Sequence, residues 1–245
     1  MAKLILDDAR GYVFCLFLGK EDENSAVIQD SLEYLGTAFF VSKKGDAITA
    51  AHVIPPDALL DADQHLYAIS VKDGKTQVYR VLMAAVFEES DLAICRVNVD
   101  DNPYLEASFT RHSAGTDIVT IGIPEHEVYQ SGKELRVLKG HISLAAMPHF
   151  SELNFAIPRG MSGGPVIKGT KCIGFLSANI RSELLEEQVE KIEEIENGKE
   201  RITFIESKSI INFGIFIPFS YFEGHKSDIF EGRTLDEFLH ERNSS

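Results

Sequence analysis

Twelve short runs rich in β-branched and aromatic residues are spread along the chain, and Gly, Pro, Asp and Asn punctuate the gaps between them. Runs of this kind, bounded by turn residues, read as strands. Six fall near 12–18, 37–42, 46–54, 65–71, 77–88 and 92–97, and six more near 117–124, 133–143, 153–157, 164–168, 171–180 and 212–220. A polar connector around 98–114 separates the sets. The pattern predicts an all-β chain: two six-stranded antiparallel barrels side by side, the first over about 9–100 and the second over about 113–222. The chain has 245 residues, 44% of them hydrophobic, which suffices for one such domain over 1–245.

Two segments depart from the strand pattern. In "RSELLEEQVEKIEEIENGK", Leu185, Val189 and Ile192 recur at helical spacing among acidic residues, with Ser182 as N-cap and Gly198 as stop. The spacing predicts an inserted amphipathic helix over about 182–198. A second short helix is expected over about 234–242, with Thr234 capping "LDEFLHER".

The formal charge is −14, from 38 acidic and 24 basic side chains. Nucleic acid and anionic membranes call for a basic footprint, so neither is the expected partner. The amino-terminal stretch carries Asp7, Asp8 and Arg10 before a short apolar run, which does not read as a secretory signal. No apolar run reaches the length of a membrane span. Cys15, Cys95 and Cys172 are odd in number and lie inside apolar runs. Buried free thiols in a reducing, cytoplasmic compartment are expected. With no Cys-x-x-Cys or His-Glu-x-x-His, no metal or cofactor is expected.

One stretch points to chemistry. "PRGMSGGPVI", 158–167, crowds Gly160, Gly163, Gly164 and Pro165 around Ser162. An ordinary surface turn also uses Gly, Pro and Ser. A G-x-S-G-G-P string fixes too many positions for that to suffice, because Gly is only about 7% and Pro about 5% of average composition. A serine hydroxyl is a weak nucleophile until a base takes its proton, and a third group orients the base. His52 follows an apolar run and the small pair Ala50-Ala51, and Asp91 stands at a turn just before another apolar run. Taken singly, either is an ordinary strand-end or turn residue. Together with Ser162 they form an ordered set at element boundaries. "GMSGG" also fits the nucleophile elbow of α/β-hydrolases, but that elbow leads into a helix. Here "VIKGTKCIGFL" reads as a hairpin, so the elbow is rejected.

With "TAAH", "SDLAI" and "GMSGGP" in this order, the sequence resembles the trypsin-like serine endopeptidases of the chymotrypsin fold. Within them it is most similar to the bacterial heat-shock (Deg-type) branch without its peptide-binding domains. "GTAFFVS", "DIVTIGIP", "KGHIS", "CIGFLSAN" and "FGIFIP" support the match from about Gly36 to Ser220. The resemblance implies that Ser162 attacks the scissile carbonyl, His52 acts as general base and then acid, and Asp91 orients the histidine. It implies an oxyanion hole from the amides of Gly160 and Ser162, a supporting role for Ser177, and substrate-strand pairing at Ala178 and Asn179. Ala156 matches the pocket floor, beside Ile157, and Gly214 a pocket wall. None is acidic, so a small or medium apolar residue before the scissile bond is expected, unless Arg159 turns inward. Protein or peptide is the implied substrate.

Met161 departs from the pattern: digestive members carry an acid there that pairs with a new amino terminus, and the bacterial branch usually carries asparagine. Activation by that ion pair is therefore not expected. An activating or regulatory protein partner, received by the acidic inserted helix at the cleft rim, is the alternative control. The second functional reading is the same double barrel as an idle module that binds peptide or protein.

Overall fold

The strand-forming runs close into two barrels. A computed structural model describes residues 9–56, 63–72, 75–130, 134–145, 147–196, 199–227 and 230–244, with 181–211 described as backbone. Helix α1 (Ala9–Tyr12) leads into β1 (Val13–Lys20), β2 (Glu33–Phe40), β3 (Asp46–Ala50), β4 (Gln64–Lys72), β5 (Lys75–Phe87) and β6 (Leu92–Val97). These six close in the order β1-β2-β3-β6-β5-β4. The second set is β7 (Asp117–Gly122), followed by α2 (Glu125–Gln130), then β8 (Arg136–Leu144), β9 (Ser151–Leu153), β10 (Pro165–Lys168), β11 (Lys171–Glu196) and β12 (Lys199–Pro218). It closes in the order β10-β11-β12-β9-β8-β7. A small ribbon of β13 (Lys226–Ser227) and β14 (Arg233–Thr234) precedes α3 (Leu235–Ser244). The six-plus-six expectation matches this architecture.

Alternation along a strand puts successive side chains on opposite faces, and β1 buries both. Phe14 and Leu16 join the main core, while Cys15 and Phe17 pack with Tyr34, Tyr67 and Ile123 in a second cluster. The main core crosses the barrel boundary: Ile121, Ile167, Phe175 and Phe219 of the second half pack with the apolar lining of the first. The interior of the second barrel holds Ile118, Ile142, Leu153, Val166, Leu176 and Phe216 around Met161. This shared packing holds the loops at one end of both barrels against each other.

The expected inserted helix is not formed. Residues 182–196 continue β11 and pair antiparallel with β12, from Ser182 opposite Ile211 out to Glu196 opposite Lys199. Gly198, read as a helix stop, lies outside the described residues. The spacing of Leu185, Val189 and Ile192 suits a helix when the segment is read alone, but residues 199–211 supply a partner. That stretch is rich in β-branched and aromatic residues (Ile202, Thr203, Phe204, Ile205). The two-residue link between the strands is Asn-Gly, the dipeptide favoured in tight hairpins. The register also sets Glu194 opposite Arg201 and Glu196 opposite Lys199, the opposite-charge arrangement that favours cross-strand pairing. β12 pairs β9 only over Gly214–Phe216, and β10 pairs β11 only over Lys171–Phe175. Among the described residues, the strands beyond are therefore a two-stranded arm.

The C-terminal helix forms where expected. The Glu237 N–H donates to Thr234 Oγ1 at 3.4 Å, and the Thr234 N–H donates to Glu237 Oε2 at 2.9 Å. This is a reciprocal capping box. Leu235, Phe238 and Leu239 are buried in the main core. Asp46, only 2% exposed, anchors the helix to the first barrel. It accepts from Arg242 Nε at 3.0 Å, Arg96 Nε at 2.8 Å and Ser42 Oγ at 2.6 Å.

Two outcomes follow for stability. Removing one partner of a buried ion pair leaves the other charge uncompensated, so Asp46→Ala is expected to lower the unfolding free energy in urea by about 3 kcal/mol. A change within error would show that Arg96 and Arg242 are satisfied by water instead. Replacing 184–209 with a Gly-Ser turn is expected to leave one cooperative thermal transition near the wild-type midpoint, since the pairings of β11 with β10 and of β12 with β9 lie outside the replaced segment. Loss of the transition would show that the arm is part of the barrel's own stability.

Candidate active site

β3 ends in Ala50, and the buried Ala51 turns the chain into a short 3₁₀ segment that presents His52. Small residues let this turn sit against the turn that carries Asp91 just before β6, and the Asp91 carbonyl accepts from the Ala51 N–H at 2.9 Å. Asp91 itself adopts φ +48°, a left-handed conformation that Asp tolerates better than most residues. That kink turns its carboxylate toward the histidine. His52 Nδ1 lies 2.9 Å from Oδ1 and 3.1 Å from Oδ2, and the His52 backbone N–H donates to Oδ1 at 3.1 Å. The Ser177 hydroxyl donates to Oδ2 at 2.5 Å. Burial pushes the Asp91 carboxyl up, but the hydrogen bonds from His52 and Ser177 outweigh it and hold the pKa below its ordinary value. An ionised carboxylate only accepts, so the proton of a neutral His52 sits on Nδ1 and Nε2 is left as the basic nitrogen.

Ser162 lies on the loop between β9 and β10. Gly163, at φ +83°, presses against β3 so closely that an added Cβ would meet Thr49 Oγ1 at 2.1 Å and Thr37 O at 2.2 Å. No other residue fits there. The loop is tied into its own barrel through Gly163 N–H to Leu176 O at 2.7 Å and Leu176 N–H to Gly164 O at 2.8 Å. It is tied to the other barrel through Thr37 N–H to Ser162 O at 3.0 Å. The Ser162 hydroxyl donates to the Ser177 carbonyl at 3.0 Å. Ser177 therefore links the serine, through its carbonyl, to the aspartate, through its hydroxyl.

Gly160 adopts φ +92°, and an added Cβ would meet Glu125 N at 2.5 Å. The Glu125 N–H donates to Arg159 O at 2.9 Å, on the side away from the cleft. Across a trans peptide the N–H and C=O point in opposite directions, so the Gly160 N–H is directed toward the cleft. Among the described residues neither this N–H nor that of Ser162 donates to another backbone group. Met161 between them is fully buried in the second-barrel core, its side chain against the backbone of Gly122. An apolar side chain thus fills the place where the resembled family carries an acid or an asparagine.

His52, Ile157, Pro158, Arg159, Gly160, Ser162, Ser177, Ala178 and Asn179 line one cleft of about 380 Å³. Ala156 is exposed and Gly214 lies behind Ile157, with neither part of the cleft lining. An added Cβ on Gly214 would meet Ile157 Cγ1 at 2.7 Å, so this glycine allows Ile157 to form the wall. Asn179 uses its side chain on the same segment: Oδ1 accepts from Ile157 N–H at 2.7 Å and Nδ2 donates to Ile157 O at 2.9 Å. Between Leu176 and Asn179 the β11–β12 register breaks, which leaves Ser177 and Ala178 outside that ladder. Arg159 borders the cleft, but its side chain is 89% exposed and its Nε pairs with Glu125 at 2.6 Å, so it supplies no buried basic pocket floor.

Tyr34 and Thr37 were not singled out from sequence, yet both reach the serine loop. Tyr34 Oη donates to Gly160 O at 2.6 Å, and Thr37 Oγ1 donates to the same carbonyl at 2.9 Å. "GTAFFVS" contains Thr37, but nothing in its pattern distinguishes a hydroxyl aimed at a neighbouring barrel from one in a strand. The three cysteines are buried thiols outside any disulfide, and burial pushes Cys95 and Cys172 up to about 12. Among the described residues no group of metal-ligating side chains converges, and no helix is long and apolar enough to cross a membrane.

Residues 36–173, more than half of the chain, match the family model described as the trypsin-like peptidase domain. The chain is 30% identical over 156 residues to a putative protease Do-like 3, mitochondrial, of Arabidopsis thaliana, covering 58% of this chain and 25% of that protein. The chain thus spans about a quarter of that relative's length. Among solved structures it is similar to an HtrA-type protease AlgW with decapeptide (TM-score 0.56, 17% identity, 89% of this chain and 64% of that one). It is also similar to Deg5 (TM-score 0.55, 19% identity, 72% and 84%). A third is the serine endoprotease from Yersinia pestis (TM-score 0.51, 21% identity, 72% and 57%). These likenesses establish the chymotrypsin-like double-barrel fold. The chain belongs to the trypsin-like peptidase domain family.

Proposed function

We propose that this chain is a serine endopeptidase that cleaves proteins or peptides through an acyl-enzyme. The observation that carries the reading is the hydrogen-bonded set His52–Asp91–Ser177 beside Ser162, with two backbone N–H groups free of other backbone partners among the described residues. In this reading Ser162 Oγ attacks the scissile carbonyl carbon while its proton passes to His52 Nε2. Asp91 keeps Nδ1 protonated and stabilises the imidazolium. The Gly160 and Ser162 amides take the charge that develops on the carbonyl oxygen. His52 then gives the proton to the leaving amine as the C–N bond breaks, and a water activated by His52 releases the acyl group.

Substrate recognition follows from the cleft. The free stretch at Ser177 and Ala178 suits an extended substrate adding as a strand. Ile157, with no carboxylate among the cleft-lining residues described, favours a small or medium apolar side chain before the scissile bond. The strong net negative charge weighs against nucleic acid or an anionic membrane as partner. Three thiols outside any disulfide support a reducing, cytoplasmic setting. A regulatory partner belongs to the same reading: the arm leaves β11 just past Asn179 and its first strand carries seven glutamates between 183 and 196. An acidic ribbon at the cleft suits a basic partner or basic residues flanking the scissile bond.

The second reading, an idle module that binds peptide, is favoured by one observation: the Ser162 hydroxyl donates to Ser177 O. The serine–histidine hydrogen bond of a working triad often forms fully only on substrate, when Ser162 would leave Ser177 O for His52. Turnover of peptides with Ala or Val before the scissile bond separates the two. Ser162→Ala and His52→Ala are each expected to cost about 10⁶ in kcat, and Asp91→Asn about 10⁴. Peptidase activity that survives in Ser162→Ala would exclude Ser162 as the nucleophile.

A further inference from the structure

We propose that Tyr34 and Thr37 are positioning residues that keep the oxyanion hole permanently formed, so that this chain needs no activating ion pair. The inference rests on the endopeptidase reading and concerns the Arg159–Gly160 peptide. If that peptide turned over, the Arg159 carbonyl would replace the Gly160 N–H in the cleft, and the hole would lose one of its two donors.

That peptide is held directly at its carbonyl, and the Gly160–Met161 peptide that follows it is held at its own. The Arg159 carbonyl accepts from Glu125 N–H at 2.9 Å on the outer side. On the carbonyl of Gly160 two hydroxyls converge from the first barrel, Tyr34 Oη at 2.6 Å and Thr37 Oγ1 at 2.9 Å. The Thr37 hydroxyl has a set direction, because the Ile123 N–H donates to Oγ1 at 3.1 Å and leaves the hydroxyl proton for Gly160. The single Tyr34 hydroxyl proton is shared between Gly160 O and Ile123 O, the latter at 2.5 Å, so both residues are referenced to the same point on the second barrel. Both are buried, Thr37 at 0% and Tyr34 at 8% exposed. Hydrogen bonds shielded from water are electrostatically stronger and costly to leave unmade. Thr37 N–H fixes the second donor's residue as well, through Ser162 O at 3.0 Å. Beneath the turn, Met161 is packed in apolar surroundings with nothing to ionise.

The test measures kcat and KM separately on a peptide substrate for Tyr34→Phe, Thr37→Val, the double variant and Thr37→Ser, with crystal structures of wild type and double variant. The double variant is expected to lose about 10²–10³ in kcat, the cost of one oxyanion donor, with KM little changed. Thr37→Ser keeps the hydroxyl and is expected to hold kcat well above Thr37→Val. The Arg159 carbonyl is expected to turn into the cleft in the double variant. A folded double variant with kcat within about threefold of wild type would overturn the proposal. If the double variant does not fold, Tyr34→Phe decides: a kcat loss of about tenfold supports the clamp, and no loss overturns it. If wild type cleaves no peptide, the endopeptidase reading has failed. The clamp is then judged on the crystal structures alone, where an unturned Arg159–Gly160 peptide in the double variant overturns it.

Discussion

Thr37 uses each of its hydrogen-bonding groups on or beside the seam between the two barrels. Its N–H holds Ser162 O, its hydroxyl donates to Gly160 O and accepts from Ile123 N–H, and its carbonyl accepts from Thr49 Oγ1 at 2.7 Å. The consequence is geometric. Ser162 belongs to the second barrel, but its main chain is positioned by β2 of the first, the same barrel that carries His52 and Asp91. Gly163 makes this contact possible, because any side chain there would strike Thr49 and Thr37. A glycine-rich loop around one serine is therefore what close approach of two sheets requires.

Packing in the second barrel explains how a methionine stands where digestive members of the resembled family carry a carboxylate. A buried charge needs a partner delivered to it, and its desolvation must be offset by good geometry. A buried thioether needs only a cavity of the right shape, and Gly122 supplies the room beneath Met161. The loop is held from below by packing and from above by hydroxyls of the first barrel. Neither anchor waits for a cleavage event.

Much of this was legible in the sequence, for identifiable reasons. Short alternating runs are local signals, so twelve strands and their division into sixes could be read directly. Ser162, His52 and Asp91, the proposed triad, stand out in the sequence because each sits at a boundary where strand pattern meets turn residues. The arm was not. Leu185, Val189 and Ile192 carry a helical period within one segment, whereas the ladder depends on residues 199–211, which lie further along the chain. The Asn-Gly link was the available signal, and Gly198 fits a helix stop equally well. Tyr34 and Thr37 were hidden for a related reason: a hydroxyl's partner across more than a hundred residues leaves no trace in local spacing. Ala156 was placed in the pocket by resemblance, but the backbone around Ile157, pinned by Asn179, carries Ile157 to the cleft wall instead.

The central claim is that Ser162 is an activated nucleophile beside a formed oxyanion hole. Mass spectrometry of the full chain after exposure to a fluorophosphonate at neutral pH tests it most directly. The account predicts one covalent adduct per chain, located on the peptide containing Ser162 and absent in His52→Ala. A chain that remains unlabelled, or an adduct on a different serine, would contradict it.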